Sequence, residues 1–98
     1  MSAKTPRNVS FSEIWEFRLQ EIISYNVKRF IPASGYTTQE LSYKTDLSVA
    51  TINRLKKGDF SVHAICKLAE VLDKFSEEFF LPPEHLKNSL YGINLFNE

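Results

Sequence analysis

The stretch from Thr37 to Gly58, TTQELSYKTDLSVATINRLKKG, restricts the fold more than any other part of the chain. Thr37 stands three residues before Glu40, the spacing of a capping box, and predicts the start of a helix. Leu41 is its first inward anchor. Thr45-Asp46 interrupts the pattern, and Leu47 is placed to plug the turn that follows. Ser48 can cap a second helix in which Ile52 and Leu55 fall on one face. Four apolar anchors at these spacings, with small polar residues between them, describe a helix-turn-helix. The outer side of the second helix then carries Val49, Ala50, Thr51, Asn53, Arg54 and Lys57, short near its start and basic near its end.

These residues resemble the helix-turn-helix of phage repressors and Cro, the lambda repressor-like family. The family pattern runs Thr-Gln, two variable residues, Leu-Ala, a turn Gly, Val-Ser, and Ile-Ser-x-Ile/Trp-Glu-x-Gly. Leu41, Leu47, Ser48, Ile52, Asn53, Leu55 and Gly58 match it. Ser61 to Leu72 is similar to the family's next helix, in which Leu-Ala-x-x-Leu is frequent, so the resemblance covers residues 36–81. Four positions depart from the pattern. Thr38 stands where the family has Gln, which weakens a common phosphate contact. Ser42 replaces Ala but stays small enough for close helix packing. Asp46 replaces the turn Gly and is one of the few side chains that tolerate a left-handed conformation. Lys56 replaces a Glu that the family pairs with an Arg of its first helix, which removes an ion pair and adds positive charge.

The resemblance implies an all-α fold, a compact domain of five or six helices. It also implies sequence-specific binding of double-stranded DNA by a transcriptional regulator of repressor type. The recognition helix is expected over about Ser48–Lys57. Val49, Ala50 and Thr51 in its first turn would face bases, Arg54 a guanine or a phosphate, and Asn53 a base edge or phosphate. Thr38 and Gln39 would grip the backbone at a helix N-terminus. Lys44, Lys56 and Lys57 would add charge, with Ser48 capping beside them.

At 98 residues the chain is the size of one domain with one modest core, and 43% hydrophobic content argues against disorder. Net charge is zero, which favours no partner by itself, but its distribution is uneven. Residues 28–57 carry a net +4, residues 58–98 a net −4, and the segments before them +2 and −2. The positive segment contains the motif, as a DNA-facing edge with an acidic far side requires. No apolar run is long enough for a membrane span, and the N-terminus lacks the apolar core of a signal peptide. A single cysteine, Cys66, has no internal disulfide partner; it reads as a buried small hydrophobe in a protein of reducing, cytoplasmic surroundings. No metal cluster, cofactor loop or nucleophile–base pair can be found, so a binding module is expected and not an enzyme.

Three segments follow in order. Residues 1–9, with Pro6, Lys4 and Arg7, read as a flexible arm. Residues 10–81 form the helix-turn-helix domain. Its first helix opens on a capping box at Ser10 and Glu13, runs to about Phe30 and is ended by Pro32 to Gly35. Phe11, Ile14, Trp15, Leu19, Ile22, Ile23 and Phe30 make its stripe, widened by Phe17 and Val27. Val62, Ile65, Leu68, Ala69 and Leu72 should line the inner face of the fourth helix, with His63 outside. Phe75, Phe79 and Phe80 should seal the base of the core. Residues 82–98 are an addition, with a short helix after Pro83, a stop at Gly92 and an alternating segment at Ile93 to Phe96.

Phe17, Val27, Leu90, Ile93, Leu95 and Phe96 then remain without obvious partners, so a homodimer is expected. The same surplus allows another reading, a protein-interaction module such as an antitoxin whose partner is a toxin-like protein. A third is a domain of this fold that has lost DNA binding.

Overall fold

The computed structural model describes the backbone of residues 11–83 and the side chains of residues 16–83. Four α-helices occur in order: α1 (Phe11–Ser34), α2 (Thr38–Thr45), α3 (Val49–Lys56) and α4 (Val62–Leu72). A 3-10 helix, Ser76–Phe80, follows them, and no strand occurs among the described residues. The class is all-α as expected, but four α-helices and one 3-10 turn replace the five or six helices anticipated for the whole chain. SEEFF forms 3-10 and not α structure because five residues cannot sustain an α-helical ladder before Pro82.

α1 buries residues at a helical period: Ile22, Ile23, Asn26, Val27, Phe30 and Ile31. The helix does not end at Phe30. It continues through Pro32 to Ser34, and Gly35 stops it with φ +83°. Proline removes one backbone donor but keeps a helical φ. Burial of Phe30 and Ile31 holds the last turn in place, and Gly35 N–H donates to the Pro32 carbonyl at 3.1 Å.

Both motif helices are capped as the spacing predicts. Thr37 Oγ1 accepts from Glu40 N–H at 3.1 Å, and Glu40 Oε1 accepts from Thr37 N–H at 2.8 Å. Asp46 takes the left-handed conformation, φ 62°, and closes α2 by donating its N–H to the Ser42 carbonyl. Ser48 Oγ accepts from Thr51 N–H at 3.0 Å and opens α3. Leu41, Ile52 and Leu55 are fully buried with Ile23, Val27, Ile65, Leu68 and Phe79 in one cluster, and Leu47 packs against its edge. Truncating any of these Leu or Ile residues to Ala costs about 2–5 kcal/mol.

The 3-10 turn is tied to α1 by a buried polar residue. Asn26 Nδ2 donates to the carbonyls of Phe79 (2.9 Å) and Leu81 (3.0 Å), and Asn26 Oδ1 accepts from Arg29 Nη2 at 2.9 Å. The Phe79 ring meets Phe30 edge to face at 5.0 Å.

Four side chains depart from the sequence reading. Val62 is exposed: it is the first residue of α4 and stands at the flank of the buried stripe of Ala64, Ile65, Leu68 and Ala69. Cys66 is exposed at the same flank. Phe75 is also exposed, standing before the 3-10 turn that carries Phe79 inward. Val27, assigned to surplus interface surface, is fully buried core instead, whereas Phe17 is 62% exposed as that assignment requires. The N-terminal arm, the Ser10 cap and the side chains of Phe11, Ile14 and Trp15 lie outside the described residues, as does the extension from residue 84 onward. No helix among the described residues is long and apolar enough to cross a membrane.

Candidate nucleic-acid interface

The α2–turn–α3 unit is fixed at several points. Ser42 Oγ donates to the Leu47 carbonyl at 2.6 Å, and Thr45 Oγ1 donates to the Leu41 carbonyl while accepting from Leu47 N–H. These bonds tie the turn to α2. The Ser42 side chain is half-buried and reaches the turn through its bond to the Leu47 carbonyl.

α1 holds the far end of α3. Ser24 Oγ donates to the Lys56 carbonyl at 2.7 Å, satisfying one of the orphan acceptors at the helix C-terminus. Gly58 follows with φ +90°, and a Cβ there would collide with the Gln20 carbonyl of α1. Glycine is therefore required twice over, by backbone conformation and by space. None of these α1 contacts could be read from local spacing, because they join residues more than thirty positions apart.

With Ile52 and Leu55 turned inward, helical geometry places Ala50, Asn53, Arg54 and Lys57 on the opposite side of α3. All four are exposed. Val49 is exposed at one flank and Thr51 is half-buried at the other. The Thr51 hydroxyl is occupied: it accepts from Ser48 Oγ at 2.9 Å and, at a longer 3.4 Å, from Arg54 Nη2. Arg54 Nε also stands 3.9 Å from Asp59 Oδ2.

Lys56 is half-buried, and its ammonium donates to Thr38 Oγ1 at 3.0 Å, across the groove between α3 and α2. This bond links the two helices and puts a positive charge beside the first residue of α2. Gln39 is exposed next to it. Thr38, Gln39, Ser48, Val49, Ala50, Asn53, Arg54, Lys56 and Lys57 thus belong to the α3 surface and the adjoining start of α2. Lys44 stands apart: it lies over the Tyr36 ring at 5.4 Å, on the flank of α2 away from Ser42 and Thr38. Asp59 is the residue of this surface that sequence reasoning missed. The signal for it was the Gly-Asp pair after α3, which returns the chain toward Arg54: Asp59 N–H donates to the Arg54 carbonyl at 2.9 Å.

The described residues hold no group of three or more His, Cys, Asp or Glu side chains that could bind a metal ion. Comparison of the chain with protein-family models, curated proteins and solved structures finds no match. What the α3 surface does therefore has to be argued from its own geometry and charge.

Proposed function

We propose that this protein binds double-stranded DNA sequence-specifically through α3 and acts as a transcriptional regulator of repressor type, a binding module without catalytic activity. The observation that carries this reading is the division of α3. Its inner residues Ile52 and Leu55 are fully buried, while Ala50, Asn53, Arg54 and Lys57 form an exposed polar and basic outer side. Eight helical residues span about 12 Å, the width of a major groove. Arg54 and Asn53 carry donors and acceptors suited to base edges, and Ala50 fits against a thymine methyl. Lys57 and the Lys56–Thr38 pair lie where phosphates would flank the groove. The net +4 of residues 28–57 adds a field that attracts DNA and orients this side toward it.

The test is binding of the full chain to duplex fragments, taken from around its own gene, across a salt series. The expected result is a site-specific complex whose affinity falls steeply with salt. Absence of binding to any duplex at low salt overturns the reading. A second reading, a module that docks a protein such as a toxin, is favoured by the exposed aromatics Phe17 and Tyr43, the latter 89% exposed on the outer side of α2. Co-purification of a stoichiometric protein partner, with no duplex bound, would favour it.

A further inference from the structure

We propose that Asp59 is a specificity-determining residue of the α3 surface: it holds Arg54 for a guanine edge and denies that side chain a backbone phosphate. This inference rests on the DNA-binding reading above. A long, exposed arginine at the edge of a recognition helix can reach either target. A guanine contact carries sequence information, and a phosphate contact carries none. What stands beside the guanidinium decides between them.

Three features of the site act on that choice. The carboxylate of Asp59 sits 3.9 Å from Arg54 Nε, and the Thr51 hydroxyl receives Nη2 at 3.4 Å, so the guanidinium is drawn along the side of α3. With Nε beside the carboxylate and Nη2 near the Thr51 hydroxyl, Nη1 remains as the donor for guanine O6 or N7, and the long Nη2 contact can be exchanged for the second acceptor. The backbone of Asp59 is also tied to α3. Its N–H is bonded to the Arg54 carbonyl, and the preceding Gly58 approaches the Gln20 carbonyl of α1 too closely for a Cβ to fit. Thr51, Arg54 and Asp59 rim a shallow depression of about 150 Å³ also lined by Leu55, Phe60 and Ala64, so the pair is backed by packed side chains. Finally, the carboxylate is itself exposed, 72% by side chain, and carries negative charge at the lip of a surface that would face polyanion. It repels a phosphate within a Debye length of about 8 Å. A base edge carries no net charge, so its O6 and N7 acceptors are repelled far less than a phosphate.

The experiment selects the best duplex from a random-sequence library with the wild-type protein. It then measures affinity for that duplex, its single base-pair variants and an unrelated duplex across a salt series. Arg54→Ala is expected to lose about tenfold or more discrimination at one base pair. Asp59→Asn is expected to lose most of the same discrimination at the same base pair while binding the unrelated duplex more tightly. Its log–log salt slope should steepen by about one, as Arg54 gains a phosphate. Asp59→Glu should retain part of the discrimination. In an Arg54→Ala background, Asp59→Asn should remove none further. The thermal midpoint of Asp59→Asn should stay near wild type, which separates steering from folding. Full discrimination and an unchanged slope in Asp59→Asn overturn the inference and leave the DNA-binding reading intact. So does an equal loss of discrimination with Arg54 already absent. A wild-type protein that selects no duplex overturns the reading and this inference together.

Discussion

Asn26 and the two positive-φ glycines are the residues at which one atom decides the most. Asn26 is fully buried and serves as a clamp, its amide nitrogen shared among carbonyls of the 3-10 turn. Asn26→Ala leaves those carbonyls without their donor, at about 1–3 kcal/mol, and opens a small void in addition. Urea denaturation is expected to show a lower midpoint with little change in slope; an unchanged midpoint would mean that water replaces the clamp freely. The glycines make a controlled pair. Gly35 has φ +83° with open space around it, so Gly35→Ala carries only backbone strain, about 1 kcal/mol. Gly58 has φ +90° and no room beside Gln20, so Gly58→Ala must also move α3 or α1 and should cost clearly more. Equal losses for the two would refute the packing argument. The sequence placed Gly58 at the end of the motif and could not indicate Gln20, since that neighbour comes from a different element.

At the scale of elements, the parts legible in the sequence were those whose causes are local. The capping box at Thr37 and Glu40, the left-handed Asp46 and the Ser48 cap are all present, because each depends on residues within three or four positions. The errors have causes that spacing does not carry. Pro32 was read as a terminator, but tertiary burial of Phe30 and Ile31 carries α1 past it. Val62 and Cys66 were placed inside as apolar residues of α4, but tertiary packing buries the stripe of Ala64, Ile65, Leu68 and Ala69 and leaves both outside it. The surface argued for DNA was visible as a charge run, yet the Lys56–Thr38 link within it was not. That link separates two neighbouring lysines. Lys57 is exposed at the end of α3, so Lys57→Ala should weaken binding to all duplexes alike and lower the salt slope by about one. Lys56 spans two helices, so Lys56→Ala should lower the slope similarly and also reduce thermal stability, by about 0.5–1.5 kcal/mol for the lost hydrogen bond. Salt-series titration together with thermal melts checks both, and matching behaviour of the two variants would place Lys56 free of Thr38 in solution.

At the scale of the whole molecule, the DNA-binding proposal raises the question of how one helix as short as α3 would achieve selectivity. Its outer side offers Asn53 and Arg54 as strong hydrogen-bonding groups, which supports only modest discrimination from a single copy. A two-fold dimer would double the contacts and place two recognition helices about 34 Å apart, or a multiple of that, on a palindromic site. Phe17 is the described residue that argues for such a dimer. It stands 62% exposed on α1, a helix whose other apolar residues from Ile22 to Ile31 are buried in the core. An exposed aromatic on a helix that reaches a full 24 residues is well placed to meet its copy across a two-fold axis. Phe17→Glu should therefore shift the full chain toward monomer in sedimentation at micromolar concentration. It should also weaken binding to a palindromic duplex far more than binding to a single half-site, with the helical circular dichroism of the single chain retained because the position is exposed there. A wild-type chain that sediments as a monomer both alone and on its duplex removes the dimer from the account. A Phe17→Glu variant that dimerises as wild type does moves the interface away from this face of α1.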